Sequence, residues 1–129
     1  MDVDGVPRPV PLDWVGDAKR RYAEFPAAVQ RDMGRALLIA QYGGVARSSK
    51  PWKGLGPGVF ELVESHFGDA YRAVYAVKFK YRVYVLHAFK KKSKSGAATP
   101  LLDVELIRIR LKAAQADYSA LIGKEMNND

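Results

Sequence analysis

The spacing of hydrophobic residues in the N-terminal third of the chain predicts a helical hairpin. Residues 1–12 contain three prolines and are expected to form an extended lead-in. Asp13 is the expected N-cap of a first helix over 14–25, which Pro26 ends. A second helix is predicted over 27–42, because its apolar residues recur at helical spacing. These apolar residues are Val29, Met33, Leu37 and Ala40.

A change from helical spacing to strand-forming residues follows the second helix. Gly43 and Gly44 end that helix, and the Gly-, Pro- and Ser-rich segment 45–58 is predicted to be a loop. Three segments rich in Val, Tyr and Phe then predict strands over 59–65, 70–77 and 82–89. Because the links between them are short, the strands are expected to form an antiparallel meander.

The C-terminal pattern predicts one long helix over 101–126. It carries two adjacent apolar stripes, so a broad face is expected to pack against the sheet or a partner. The first stripe is Leu102, Leu106, Ile109 and Ala113, and the second is Ile107, Leu111, Ala114, Tyr118 and Ile122. The whole chain, 1–129, is therefore interpreted as one α+β domain of order α-α-β-β-β-α, with 119–129 as a tail that frays.

Composition excludes several classes of protein. With no cysteine and only His66 and His87, the chain lacks the residues for a disulfide framework or a histidine metal cage, and no metal or cofactor is predicted. No apolar run is long enough to span a membrane, and the acidic N-terminus is unlike a signal peptide. A cytoplasmic protein without a membrane partner is expected.

The positive charge is concentrated in the middle of the chain. Residues 1–46 contain six basic and six acidic residues, 47–94 contain eleven and three, and 95–129 contain four and five. These segments sum to the formal net charge of +7. Such a basic block indicates a polyanion as partner, the alternative being a generic solvated surface.

Arg72 stands inside the second predicted strand. Strand alternation places it on one face with Val74 and Ala76. An arginine at this position suits bidentate binding of a phosphate. The alternative is an ion pair with a nearby carboxylate, such as that of Glu61 or Glu64.

The end of the third strand combines an imidazole, an aromatic ring and a run of lysines. His87 can transfer a proton, Phe89 can stack on an unpaired base, and the lysines can neutralise phosphate. The lysines are Lys90, Lys91, Lys92 and Lys94. Together these groups would suffice to cleave RNA through its own 2′-hydroxyl. The alternatives are a buried core histidine and a solvated basic loop.

The loop before the first predicted strand is a second basic element. Lys50 and Lys53 flank Trp52 in a segment shaped by proline and glycine, so two ammonium groups can meet one anion there. Trp52 is interpreted either as a base-stacking platform or as a core residue.

Four segments in order resemble phage-derived, HigB-like toxins of the RelE superfamily. They are KPWKGLGPGVFEL at 50–62, YRAVY at 71–75, VLHAFKKKS at 85–93, and Thr99-Pro100 ahead of a charged and apolar helix. The similarity extends over roughly 14–118.

This resemblance implies a RelE-like fold, with a small antiparallel sheet of three to four strands, and a function. RelE-like toxins cleave mRNA in the ribosomal A site without a metal or cofactor, contact rRNA, and are inhibited by an antitoxin, often a helix-turn-helix protein. The resemblance assigns phosphate stabilisation to Arg72 and catalysis to the region of His87 and Lys90–92. Lys50, Lys53, Trp52, Phe89 and Lys94 are the expected RNA-binding residues.

Two further hypotheses remain at this point. RelE uses a late tyrosine that has no clear equivalent in this sequence, where Tyr118 lies on the final helix. A RelE-like protein that binds nucleic acid or protein without cleavage is therefore the second hypothesis. An unrelated small basic interaction domain is the third.

Overall fold

The computed structural model describes residues 8–91 and 99–127, with side chains described through Lys124. The elements, in chain order, are β1 (Leu12–Trp14), α1 (Ala18–Ala23), α2 (Ala27–Gln41), β2 (Ser49–Pro51), β3 (Val59–His66), β4 (Asp69–Phe79), β5 (Arg82–Lys91) and α3 (Leu101–Asn127).

One five-stranded sheet forms the centre of the fold, with the strand order β1-β5-β4-β3-β2. β1 runs parallel to β5, and the other neighbours are antiparallel. The predicted α+β class, helical hairpin, meander and C-terminal helix are confirmed. The sheet has two more strands than the predicted meander. One edge strand lies where the lead-in was expected to pass into the first helix, and the other lies in the segment predicted to be a loop.

The prediction of a helix beginning at residue 14 was wrong. Leu12–Trp14 pairs with β5, and the backbone N–H of Val15 donates to the carbonyl of Val85 at 2.9 Å. Asp13 does not cap a helix, because its carboxylate accepts from Arg82 Nη1 at 2.8 Å. The helix α1 starts only at Ala18.

Two cores lie on opposite faces of the sheet. α1 and α2 pack on one face, where Met33 and Leu37 are fully buried. α3 packs on the other face through Ile107 and Leu111, which belong to the second apolar stripe predicted. The first stripe stays largely outside this core, with Leu102 86% exposed.

Helix α3 continues to Asn127 and thus includes most of the segment 119–129 that was expected to fray. Among the residues described, none of the helices is both long and apolar enough to cross a bilayer.

A register shift in β5 changes which side chains meet α3. Val74 pairs with His87 and Tyr75 pairs with Val85, so Leu86 is an extra residue in β5. Leu86 and His87 therefore both point toward the α3 side, although they are consecutive. Without this bulge, the residues of β5 beyond it would face the opposite helices.

Gly16 allows the turn between β1 and α1 to contact α3 closely. Its φ is +57°, and a Cβ at this position would lie 2.8 Å from Nη2 of Arg110. We expect Gly16→Ala to lower the free energy of unfolding by about 1–3 kcal/mol, through left-handed strain and this contact. Chemical denaturation measures the change.

The control is a double-mutant cycle with Arg110→Ala. In that background the guanidinium is absent, so Gly16→Ala should cost only the backbone contribution of about 1 kcal/mol. An equal cost in both backgrounds would show that the contact with Arg110 is irrelevant.

Candidate functional site

Four charged side chains lie on the face of the sheet that α3 covers only in part. Lys50 on β2 pairs with Glu61 on β3, and Arg72 on β4 and Lys91 on β5 follow in the next two rows of the ladder. Because paired residues share a face and side chains alternate, all four project from the same side. We call Lys50, Glu61, Arg72 and Lys91 the charged cluster.

The charged cluster is only partly exposed, because buried residues share its rows: Val74 and His87 lie in the row of Glu61, and Phe89 lies in the row of Arg72. Val59, Ala76 and Tyr84 form one row, which is buried together with Ile107 and Leu111 of α3. Within the cluster, Lys50 is exposed and Lys91 is partly exposed.

Arg72 and Glu61 form the central ion pair of the cluster. Nη1 of Arg72 donates to Oε2 of Glu61 at 2.6 Å, and each side chain is 14% exposed. Nε of Arg72 is buried and has no hydrogen-bond partner among the described residues. A guanidinium carries five N–H donors, so Glu61 leaves donor capacity on Arg72.

Lys91 lies close enough to the ion pair for both of its partners to affect the pKa of Lys91. Desolvation and the nearby Arg72 lower the pKa of Lys91, whereas Glu61 and Asp103 act in the opposite direction. Lys50, at the other side of Glu61, is exposed. The cluster therefore combines three cations with a single carboxylate.

His87 is enclosed between the sheet and α3, as the alternative of a core histidine predicted. Its side chain is 1% exposed, and its Nε2 lies 2.8 Å from Oδ1 of Asp103. Its Nδ1 lies 3.2 Å from Nη1 of Arg110. Because a guanidinium only donates, Nδ1 accepts and Nε2 carries the proton that is donated to Asp103.

This arrangement corrects the assignment of His87 to proton transfer with RNA. Both ring nitrogens are engaged inside the protein, so neither reaches the open face. Burial, together with Arg110, lowers the pKa of His87, and Asp103 opposes this effect only in part. The ring stacks on Phe89 with centroids 4.9 Å apart, so His87 holds α3 and the end of β5 together.

Arg110 extends this polar contact to α1. It donates from Nη1 to the carbonyl of Leu86 at 3.0 Å and from Nη2 to Oδ1 of Asp17 at 2.5 Å. Asp17 also accepts from Nε of Arg21 at 2.8 Å. Arg21 and Arg110 hold the pKa of Asp17 well below its usual range.

Lys90 does not join Arg72, contrary to the prediction. It follows Phe89 by one residue and so faces the side of α1 and α2, where its Nζ lies 3.1 Å from Oδ2 of Asp69. Asp69 raises the pKa of Lys90. Lys92 and Lys94 lie outside the described residues.

The aromatic side chains predicted to bind RNA are mainly structural. Phe89 is 5% exposed, and Trp52 is partly buried against the core beneath α3. Lys53 is exposed in the loop beyond Trp52, on the side away from Arg72. Tyr118 receives a hydrogen bond from the backbone N–H of Tyr81 at the β4–β5 turn, the opposite end of the sheet from Lys91.

Residues 21–112, more than half of the chain, match the protein family described as "Phage derived protein Gp49-like (DUF891)". The chain belongs to this Gp49-like family. No similar sequence is found among curated proteins.

The Gp49-like chain has the fold of RelE toxins. It superimposes on a double-arginine mutant of the Escherichia coli toxin RelE in the free state with a TM-score of 0.53 and 19% identity, covering 82% of this chain and 98% of that one. The isolated E. coli RelE toxin gives 0.49 and 19%, covering 77% and 96%. A chain of the Mycobacterium tuberculosis RelBE2 toxin–antitoxin complex gives 0.45 and 17%, covering 66% and 94%.

Sequence reasoning missed or underrated three residues of the candidate site. Glu61 was considered only as a pairing partner of Arg72, although its position opposite Lys50 makes it part of the cluster. Asp103 and Arg110 were not considered, because their contacts with His87 depend on how α3 crosses the sheet. The acidic first turn of α3 was the only local signal for Asp103.

We predict that His87 makes the fold sensitive to mild acid. Because its pKa is lowered in the folded state, the unfolded chain binds the additional proton as the pH falls below about 6.5. The free energy of unfolding therefore decreases, by at most about 1.4 kcal/mol per pH unit from this group. Urea unfolding at pH 7.5 and 5.5 measures the loss.

His87→Gln removes the titration, so its loss over this pH range should be smaller. His66→Gln, at the partly exposed end of β3, is the matched control and should keep the wild-type loss. Equal losses in wild type and His87→Gln would contradict the prediction.

Proposed function

We propose that this Gp49-like protein is the toxin of a toxin–antitoxin system and an endoribonuclease that cleaves mRNA on the ribosome. The observation that supports this most directly is the shared face of Lys50, Glu61, Arg72 and Lys91, because it gathers cations around one carboxylate beside an incompletely covered sheet. Phosphodiester cleavage needs such cations where charge develops on the phosphate oxygens.

In the proposed reaction, the 2′-hydroxyl of the RNA attacks the adjacent phosphorus. The bond from phosphorus to the 5′ oxygen breaks, leaving a 2′,3′-cyclic phosphate and a 5′-hydroxyl. Glu61, 2.6 Å from Arg72, takes the proton of the 2′-hydroxyl. Lys91 supplies a proton to the leaving 5′ oxygen, and its lowered pKa favours this transfer.

Arg72 serves as the electrophilic group that binds the phosphate oxygens through donors that Glu61 does not use. His87 serves as a positioning residue that fixes the start of α3 against β5. The step requires no metal in this proposal, because Arg72 and Lys91 provide the positive charge.

The ribosome supplies the positioning of the RNA strand that the charged cluster lacks. A flexible strand must be positioned for in-line attack, and mRNA held in the A site is already positioned. We therefore propose mRNA and rRNA as partners, the cytoplasm as location, and an antitoxin, of helix-turn-helix type, as the inhibitor. Family membership and the concentration of positive charge in residues 47–94 support this assignment.

A RelE-like protein that binds RNA without cutting it is the second candidate. The Arg72–Glu61 ion pair favours it, because a phosphate must compete with a carboxylate already bound to Arg72. The burial of His87 favours it as well. Cleavage assays separate the two candidates, since both predict binding and only the first predicts products.

Lys90 and Lys91 offer a matched pair for testing the site. They are consecutive residues of one strand that face opposite sides of the sheet. We expect Lys91→Ala to reduce mRNA cleavage by about 100- to 1,000-fold, since it removes a cation at the scissile phosphate. Lys90→Ala should cleave like wild type. Primer extension on a translated message measures the cleavage.

Arg72→Lys and Glu61→Gln complete this series. Both should lose most of the cleavage while circular dichroism shows the fold retained, because one loses the forked donors and the other the base. Equal activity of Lys90→Ala and Lys91→Ala, or full activity of Arg72→Lys, would remove the cluster from the mechanism.

The salt dependence of RNA binding tests the cluster independently of cleavage. Each phosphate neutralised in a single strand contributes about 0.7 to the slope of log affinity against log salt. The Lys50→Ala/Lys91→Ala double variant should therefore flatten the slope by about 1.4. Filter binding across salt concentrations gives the slope. An unchanged slope would mean that neither lysine contacts phosphate.

A further inference from the structure

The turn between β3 and β4 presents one large aromatic side chain to solvent. Phe67 and Gly68 form this two-residue turn, with φ of +48° and +84°. Phe67 is 94% exposed, more than any other large hydrophobic residue among those described.

Neither the backbone conformation of Phe67 nor the exposure of its ring to solvent stabilises the fold. In hairpin turns with two left-handed residues, the first position is typically Asn, Asp or Gly, because other side chains are strained there. A phenyl ring that stays in solvent also contributes no free energy of burial to folding. Such strained residues are found mainly where they bind a ligand, so the observation points to a function of the ring.

The turn lies at the same end of the sheet as Arg72 and Lys91. Lys91 pairs with Ala70, only one residue beyond the pair of His66 with Asp69 that closes the hairpin. At about 3.3 Å per residue, Phe67 is about 17 Å from Arg72 along the chain. An RNA strand bound at Arg72 would therefore bring a neighbouring nucleotide, and not the bound phosphate, to Phe67.

The rings behind Phe67 fix its position. Its ring meets that of His66 edge-on, with centroids 4.5 Å apart, and His66 lies 6.4 Å from Tyr71. Lys90 lies 5.8 Å from the centre of the Tyr71 ring. Tyr71 and Lys90 face the side of α1 and α2, so the contact with His66 supports Phe67 from the face opposite Arg72.

A nucleobase fits this position better than a protein surface does. The turn surrounds Phe67 with Ser65, His66, Gly68 and Asp69, so it has no apolar patch of the kind that docks a protein. Proteins that bind single strands combine aromatic rings, on which bases stack, with a positively charged groove that follows the backbone. Trp52 and Phe89 lie closer to the cluster, but both pack into the core beneath α3.

We propose that Phe67 is a stacking platform for an unpaired nucleobase of the RNA strand whose phosphate binds at Arg72 and Lys91. The inference rests on the proposed function in that RNA is the ligand. It adds a binding position for a base, which the charged cluster lacks.

Phe67→Asn separates binding from folding. Asparagine tolerates the left-handed conformation better than phenylalanine, so the melting temperature should stay the same or rise. Affinity for single-stranded RNA should nevertheless fall by roughly 5- to 150-fold. Phe67→Trp keeps a stacking ring and is the matched control, which should retain the wild-type affinity.

The probe is a 2′-O-methyl oligonucleotide, which cannot be cleaved through its 2′ oxygen. A series carries 2-aminopurine at successive positions, and stacking on Phe67 should quench its fluorescence at one position in the full chain. Phe67→Asn should abolish this quenching. With an abasic site at that position, wild type and Phe67→Asn should bind equally.

The inference would be overturned if the fluorescence stayed unquenched at every position. It would also be overturned if wild type and Phe67→Asn bound the intact oligonucleotide with equal affinity, and the ring would then bind a different partner. Because these measurements need no cleavage, they are independent of the proposed reaction. Stacking without cleavage of a translated message refutes the nuclease alone, whereas cleavage insensitive to Phe67→Asn refutes the platform alone.

Discussion

The pairing of β4 with β5, including the extra residue Leu86, determines which face of the sheet each charged and aromatic side chain of β5 occupies. This ladder joins the two longest strands, and the two cores are built on its opposite faces. The bulge turns His87 toward α3 and brings Phe89 and Lys91 to the face of Arg72. A shift of one residue would exchange Lys91 for Lys90 beside Arg72, because strand side chains alternate.

Helix α3 is attached to the sheet by apolar packing in its middle and by polar contacts near its start. Ile107, Leu111 and Ala114 are buried, whereas Asp103 and Arg110 hold His87 between them. Arg110 then reaches Asp17 and joins α3 to the start of α1. These contacts fix the position of α3 relative to β5 and α1.

The charged cluster and Phe67 are positioned by the same part of the sheet. Both depend on the end of the sheet formed by the β3–β4 turn and the last residues of β5. The cluster can bind phosphate through charge, and the aromatic ring offers a surface that does not depend on charge. In our proposal they form together a site for a nucleotide chain rather than for a small anion, since a small anion would need only the cluster.

Local pattern was sufficient for the class and order of the elements. Apolar residues recur at helical spacing in 27–42 and in α3, and three segments between them are rich in β-branched and aromatic residues. The helical hairpin, the meander and the final helix were therefore predictable. Strand alternation also placed Arg72 correctly with Val74 and Ala76. The short edge strands Leu12–Trp14 and Ser49–Pro51 were not predictable, because three residues carry no period and depend on a neighbour for their hydrogen bonds.

The sequence by itself determined the basic middle segment, the family motifs and the residues available for chemistry. Only the tertiary structure decided their roles: His87 and Phe89 became core residues, Lys90 and Lys91 separated, Glu61 joined Arg72, and Phe67 was exposed. The physical reason is that composition and period are properties of neighbouring residues. Burial and ion pairing depend instead on residues that are distant in sequence, through the register of the strands and the path of α3.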